Sequence, residues 1–345
     1  MKLSTLTGED APLIDVEITG ITPDSREVQP GFLFAALPGT RVDGRVFIDD
    51  AVARGAAAIL AASTANVPQP PGIAIVRADN PRLRLSQLAA RFFGPQPETI
   101  VAVTGTNGKT SIATFVRQIW EQLGFPAASI GTLGVAYPGG QQVLGHTTPD
   151  PVALHRILAT LKDKGVERVA MEASSHGLAQ FRLDSVRVKA AGFTNLTRDH
   201  MDYHATFEDY RDAKLRLFTD VLVKDGTAVI NVDGAHADAF IAGARAAGRR
   251  VMTVGKKGDA LKLAAQTPHL RGQDLAIVHE GKTHTVMLPL PGAFQAGNAL
   301  VAAGLLIALG HHAGDVIAAL GTLKGAPGRL EYAGETKAGA PVFID

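Results

Sequence analysis

The stretch "VAVTGTNGKTSIATF", residues 101 to 115, decides the fold. An apolar, β-type run ends on Gly105, and a helix-forming run starts at Gly108-Lys109-Thr110. A strand that stops on glycines and restarts as a helix is the layout of a phosphate-binding loop. Glycines let the backbone approach phosphate oxygens, and the N–H groups of the new helix face them with the positive end of its dipole. Lys109 can then reach the β and γ phosphates, and Thr110 can offer its hydroxyl to magnesium. The usual pattern has a glycine five places before Gly108; Val103 stands there, and the glycine comes late, at Gly105. Gly-Lys-Thr also occurs in ordinary strand-to-helix turns, but a strand on one side and a helix on the other favour the phosphate reading.

Outward from that loop, "TIVAVTG", "VERVAMEA", "AAGFTNL" and "GTAVINVD" read as buried strands separated by helical segments. Such alternation predicts a doubly wound, mainly parallel α/β sheet. Upstream, "GFLFAAL" and "AAAIL" alternate with a helix over "FIDDAVARG", a small α/β arrangement of its own. The break falls at "GPQP", residues 94 to 97, after the helical pattern "PRLRLSQLAARFF". The expected domains are therefore 1–94, a small α/β domain, and 98–330, the nucleotide-binding sheet, with 331–345 opening something further. Downstream, "LAIVHEGKTHTVMLPLPG" alternates with period two, which predicts a small antiparallel layer before a helix from Phe294 to Leu309.

Composition narrows the function. The 345 residues suffice for two cores, and 46% hydrophobic with 19% charged residues describes a globular chain. A net charge of +1 with no basic run argues against nucleic acid as a partner. Zero cysteines excludes disulfides and thiolate chemistry, which suits the cytoplasm. The longest apolar stretch, "ALVAAGLLIALG" from Ala299, is shorter than the roughly 18 residues of a membrane span.

In an open parallel sheet, ligands collect beyond the carboxyl ends of the strands. Glu172 closes "VERVAME", and His176 and His200 follow strands in "EASSHGL" and "NLTRDHMDYH". Each alone reads equally as a cap or a hydrogen-bonded loop residue; together they are candidate magnesium ligands, although magnesium prefers oxygen. Lys214 is odder. In "FEDYRDAKLRLF" the residues Phe207, Tyr210, Lys214 and Leu217 step by three, four and three, which puts the lysine on the apolar stripe of a helix. Its amine either snorkels to water or is desolvated, with a lowered pKa and nucleophilic or modified nitrogen.

The segments "TGTNGKTS", "HTTPDP", "EASSHGLAQFRLD", "FTNLTRDHMDYH", "YRDAKLRLF", "GAFQAGNALVAAG" and "GAPGRLE" follow one another as in the Mur ligases, the ATP-dependent amide-bond enzymes of peptidoglycan precursor synthesis. The resemblance covers nearly the whole chain and is greatest to the tripeptide-synthetase members. It includes "PDSREVQPGFLFAALPGTRVDGRVFI", which is similar to the family's uridine-nucleotide segment. The resemblance implies that Gly105, Thr106, Asn107, Gly108, Lys109, Thr110 and Ser111 hold ATP, with Asn298 on the adenine side and Arg329 beside them. Thr110, Glu172, His200 and Lys214 would serve magnesium, Lys214 as a carbamate. Ser25, Thr40, Arg41 and Val42 would contact a UDP-sugar. His146, Thr147, Thr148, Ser174, Gln180 and Arg182 would contact its peptide arm; a relative has asparagine where His146 stands.

The implied chemistry, with Lys109, Lys214 and His200 at its centre, is activation of a carboxylate as an acyl phosphate and its capture by an amine. The carboxylate belongs to UDP-N-acetylmuramoyl-L-alanyl-D-glutamate, and the amine to a diamino acid, diaminopimelate or lysine. The implied enzyme is a cytoplasmic monomer. In the family "GAPGRLE" leads into a third domain that binds the amino acid, and this sequence stops at Asp345. The expectation is that the chain as given binds precursor and ATP without completing the ligation. "DNPR" at 79–82 matches a specificity motif of that third domain but lies before a helix in the first, so it takes no such role. Folylpolyglutamate synthetases share the ATP loop but lack the "DSR" domain and the "GLAQFR" contacts.

Overall fold

The computed structural model describes residues 1–8, 14–39, 42–67, 70–336 and 341–344. They divide into two units, one of residues 1–96, 149–160 and 180–186, the other of 97–148, 161–179 and 187–345.

The first unit is built on four parallel strands in sequence order, β1 (Gly20–Thr22), β2 (Phe32–Ala35), β3 (Ala58–Ala62) and β4 (Ala74–Ala78). Successive side chains on a strand face opposite ways. Leu33 and Leu60 therefore join one cluster with Leu85 and Leu88 of the helix Pro81–Phe93, while Phe34 and Ile59 join another with Ile48 and Ala51 of the helix Ile48–Ala53. The "DNPR" segment is a helix start. Asn80 caps it, its side chain accepting from Leu83 N at 3.0 Å, and Pro81 takes the first turn, where no N–H is needed.

The second unit carries an eleven-stranded sheet. Its strands in chain order are β5 (Thr99–Thr104), β6 (Ala127–Gly131), β7 (Gly134–Tyr137), β8 (Gly140–Gln142), β9 (Arg168–Glu172), β10 (Val188–Phe193), β11 (Leu222–Asn231), β12 (Arg250–Gly255), β13 (Leu261–His269), β14 (Gly272–His279) and β15 (Lys282–Leu288). In space the order is β15-β14-β13-β12-β11-β10-β5-β9-β6-β7-β8. Pairing is parallel from β13 through β6 and antiparallel at both edges. The α/β class with a mainly parallel sheet is as the sequence predicts. The central β5 is buried on both faces and so reads as an unbroken apolar run. β5 lies between β9 and β10, so the loops after all three strands open side by side, the usual ligand position of such a sheet.

The helix Phe294–Ala308 is apolar almost all round because it is buried between the helix Lys109–Gln122 and strands β10 to β12. Gly304 permits the approach; a Cβ there would lie 2.7 Å from Val229 Cγ1. The last strands, β16 (Glu331–Glu335) and β17 (Pro341–Ile344), form an antiparallel pair.

Candidate functional site

The phosphate loop turns on two glycines, Gly105 at φ 147° and Gly108 at φ 88°. Neither admits a side chain. A Cβ at Gly105 would sit 1.9 Å from Thr194 Oγ1, and one at Gly108 would sit 2.4 Å from Asn298 Oδ1. Gly108 opens the helix Lys109–Gln122, whose first-turn N–H groups lack intrahelical partners. The loop after β10 braces this turn from below. Thr106 N donates to Asn195 O at 2.9 Å, Asn107 N to Asn195 Oδ1 at 3.1 Å, and Thr194 Oγ1 to Asn107 O at 2.6 Å. Thr106 Oγ1 donates to Thr197 O at 3.1 Å and pairs with Tyr210 OH at 3.0 Å.

Above the loop lies a cavity of about 870 Å³ formed wholly by the second unit. The structure brings Thr106, Asn107, Gly108, Lys109, Thr110, Ser111, Thr147, Glu172, Ser174, His200, Lys214, Asn298 and Arg329 into its wall. Gly105 contributes its carbonyl. Lys109 Nζ donates to Gly105 O at 2.9 Å and to Thr106 O at 2.7 Å, and Lys214 Nζ donates to the same Gly105 O at 2.8 Å.

Lys214 does not snorkel. It is 1% exposed on the helix Phe207–Arg216, with its amine 4.5 Å from the centroid of the Tyr210 ring. Burial, and after it the Lys109 charge, bring its pKa down to about 6, against a smaller pull from Asp199. Most of the amine is therefore neutral at pH 7. Burial also lowers Lys109, which Glu172 and Asp199 partly offset.

Glu172, at the end of β9, is 2% exposed. Its Oε1 accepts from Thr132 N at 2.8 Å and its Oε2 from Thr132 Oγ1 at 3.2 Å. The carboxylate occupies the space a side chain would fill at Gly131, where a Cβ would lie 2.0 Å from Oε1. His200 sits at φ 54°, with Nε2 3.6 Å from Asp199 Oδ2 and its ring 4.9 Å from that of His176. His176 itself is not in the cavity wall. Among the described residues no three of His, Cys, Asp and Glu gather as a metal cage. The Glu172 carboxylate and the Thr110 hydroxyl nonetheless suit magnesium, which is usually held by one or two carboxylates with phosphate oxygens and water, and the His200 imidazole is the poorer donor of the set.

The remaining candidates lie elsewhere. Thr148 is buried beneath the cavity, its Oγ1 donating to Glu172 O at 3.0 Å and accepting from Ser174 N at 3.1 Å. His146 is exposed and outside the cavity wall. Ser25, Val42, Gln180 and Arg182 belong to the first unit, where Ser25 is buried, Val42 is exposed and Arg182 Nη2 donates to Gln180 Oε1 at 2.8 Å. Thr40 and Arg41 lie outside the described residues. Sequence reasoning passed over Thr132, Asn195, Asn231, Asp233, Gln266 and Phe294, all in the cavity wall. Asn195, Asn231 and Asp233 close or follow parallel strands, the same signal that singled out Glu172.

Two family descriptions match the chain: "Mur ligase middle domain" over residues 103–306 and "Mur ligase family, catalytic domain" over residues 17–92. A protein of Mesorhizobium japonicum named UDP-N-acetylmuramoyl-L-alanyl-D-glutamate–2,6-diaminopimelate ligase is 52% identical over 349 residues, covering 100% of this chain and 72% of that protein. One of the same name from Brucella melitensis is 52% identical over 332 residues, covering 96% of this chain and 68% of that protein. A solved structure of a ligase with that name superposes with a TM-score of 0.81 at 30% identity, covering 93% of this chain and 66% of the solved one.

Proposed function

This chain belongs to the Mur ligase family, and we propose that it carries the precursor- and ATP-binding part of a UDP-N-acetylmuramoyl-L-alanyl-D-glutamate–2,6-diaminopimelate ligase. It spans about two thirds of the solved relative and 72% of the Mesorhizobium protein. The choice of diaminopimelate rests on the names of those relatives. The observation that carries the reading is the convergence of Lys109, Lys214, Glu172 and the phosphate loop on one cavity. We keep the domain limits 1–94, 98–330 and 331–345 and assign the first domain to the UDP-sugar. We assign the enzyme to the cytoplasm, where ATP is available; no helix of the described residues is long and apolar enough to cross a membrane.

In the reaction proposed, the terminal D-glutamate carboxylate attacks the γ phosphorus of ATP, ADP leaves, and the resulting acyl phosphate is taken by the diamino acid's amine with loss of phosphate. Lys109, now folded onto the carbonyls of Gly105 and Thr106, has donors to turn to the γ-phosphate oxygens. The helix N-terminus at Gly108 faces developing negative charge with fixed dipoles, which need no reorganisation during the step. Thr110 and Glu172, with His200 and Lys214, would hold magnesium, which would supply further charge neutralisation. Thr132 keeps the Glu172 carboxylate aimed. Lys214 joins that set as a carbamate: its neutral nitrogen adds to the carbon of carbon dioxide and releases one proton. A neutral amine at pH 7 and a buried position both favour this reaction over snorkelling.

Calorimetry of magnesium-ATP binding tests the reading. Lys109→Ala should weaken binding by about 1.5–3 kcal/mol, the contribution of a hydrogen bond from a charged group. Parent-like affinity in that variant would remove the phosphate-cradle assignment.

A further inference from the structure

Gln266, on β13, lies in the cavity wall away from the phosphate loop. Its neighbour Gln273, on β14, is 1% exposed, and its Nε2 donates to Leu290 O at 3.0 Å and Gly292 O at 3.1 Å. Only the NH₂ end of an amide can satisfy two carbonyls, so the orientation of Gln273 is fixed. Its Oε1 must then accept, and it does so from Gln266 Nε2 at 2.6 Å. The same Nε2 donates to Ala293 O at 2.9 Å. Both hydrogens of the Gln266 amide are thereby committed, and Oε1 remains as a pure acceptor in the cavity wall. Among the described residues no donor of the protein meets it.

Its position suits the far end of a nucleotide. Asn298 abuts the phosphate loop at Gly108. Ala293, which holds Gln266, precedes Asn298 by five residues, or about 7.5 Å of helical rise. Glu172 and Lys214 mark the γ-phosphate end of the cavity, so the arm along this helix is left for the nucleoside. Phe294, 59% exposed in the same wall, offers an aromatic face there.

We propose that Gln266 Oε1 accepts a hydrogen bond from the exocyclic amine of adenine, and that the Gln273–Gln266 amide pair selects ATP against nucleotides carrying a carbonyl at that ring position. The proposal rests on the nucleotide reading of the cavity. A carbonyl facing Oε1 sets acceptor against acceptor, and Gln266 cannot turn to offer its NH₂ without breaking two hydrogen bonds. Recognition is therefore imposed by the backbone carbonyls at Leu290 and Gly292, two side chains away from the base.

The test is calorimetry with magnesium-ATP and magnesium-ITP, which differ in the groups on one edge of the base. The parent should prefer ATP by at least about tenfold, since the half-buried Gln266 acceptor, covered by the base and facing a carbonyl, is left unpaired in the ITP complex. Gln266→Leu should reduce that preference below about threefold while Lys109 still governs affinity for both nucleotides. Gln266→Lys, which replaces the acceptor with a donor, should move the preference towards ITP. Gln273→Leu should also narrow the ratio, by freeing Gln266 to rotate; should that buried variant not fold, the two Gln266 variants decide. An unchanged ratio in Gln266→Leu, or a parent that binds both nucleotides equally, overturns the proposal alone. A parent that binds neither overturns the nucleotide reading along with it.

Discussion

Lys214→Met should stabilise the protein while removing the site of the proposed carbamate. Lys214 is 1% exposed, its amine makes one hydrogen bond to Gly105 O, and its pKa in the folded chain is about 6 against 10.5 for an ordinary lysine. Because the folded pKa is lowered, the unfolded chain binds more protons between pH 6 and 10.5, and stability rises with pH across that window. The penalty for burying the amine is fully present below pH 6 and disappears above 10.5. At pH 7.5 it amounts to about 4 kcal/mol, three pH units at roughly 1.4 kcal/mol each. Methionine removes the penalty and forfeits a hydrogen bond of about 1 kcal/mol, leaving a gain of about 3 kcal/mol. The gain should shrink by about 1.4 kcal/mol per pH unit and vanish near pH 9.5. Urea unfolding in carbon-dioxide-free buffer at pH 6.5, 7.5 and 8.5 measures it. Trp120, the sole tryptophan and fully buried in the same unit, provides the fluorescence signal. With ¹³C-bicarbonate and magnesium-ATP, the parent should show a carbamate carbon resonance that the variant lacks. A variant no more stable than the parent at pH 6.5, or a difference that does not change with pH, would refute the reasoning.

Gly131→Ala should drive the Glu172 carboxylate from its place, because the new Cβ falls 2.0 Å from Oε1. Magnesium titrated in the presence of a non-hydrolysable ATP analogue should bind about tenfold more weakly, as when a ligand loses its support; unaltered magnesium affinity would show that Glu172 is not a ligand. In the first unit, burial takes His155 from an ordinary 6.5 down to about 4. Its contribution is complete above pH 6.5 and lost as pH falls towards 4, up to about 3 kcal/mol, and His155→Leu should flatten that acid slope in urea unfolding followed by circular dichroism.

What the sequence makes legible is local. The phosphate loop is a contiguous strand, turn and helix, and Asn80-Pro81 announces its helix by capping and by a missing donor. Spacing places Lys214 on an apolar stripe, but whether its amine reaches water depends on the Gly105 carbonyl 109 residues away, which no periodicity reports. The partners of Glu172 are likewise remote: Thr132 is 40 positions distant and is brought close only because β6 pairs with β9. The short segments 149–160 and 180–186 interrupt the sequence of the second unit yet pack in the first, and a contiguous domain boundary cannot express that. The two-amide arrangement at Gln273 and Gln266 is set by cross-strand register between β13 and β14. Glutamines in an alternating strand look like any exposed polar position.

A buried lysine, Lys214, and a half-buried one, Lys109, converge on one carbonyl, which strains the rule that buried charges come with partners. Burial lowers the proton affinity of both, the Lys109 charge lowers that of Lys214 further, and Arg329 adds positive charge beside Lys109. Glu172 and Asp199 oppose this only in part. A cluster so short of negative charge is a poor device for stability; core positions without function would have been filled with apolar side chains at lower cost. It is well suited to a ligand that brings several negative oxygens. In the proposed reading phosphate would meet Lys109 and the helix N-terminus, and a carbamate would turn Lys214 from a mostly neutral amine into a counter-charge for its neighbour. The strain located by the pKa of Lys214 and the chemistry assigned to the cavity therefore have one cause. The same substitution that relieves the strain should remove the chemistry.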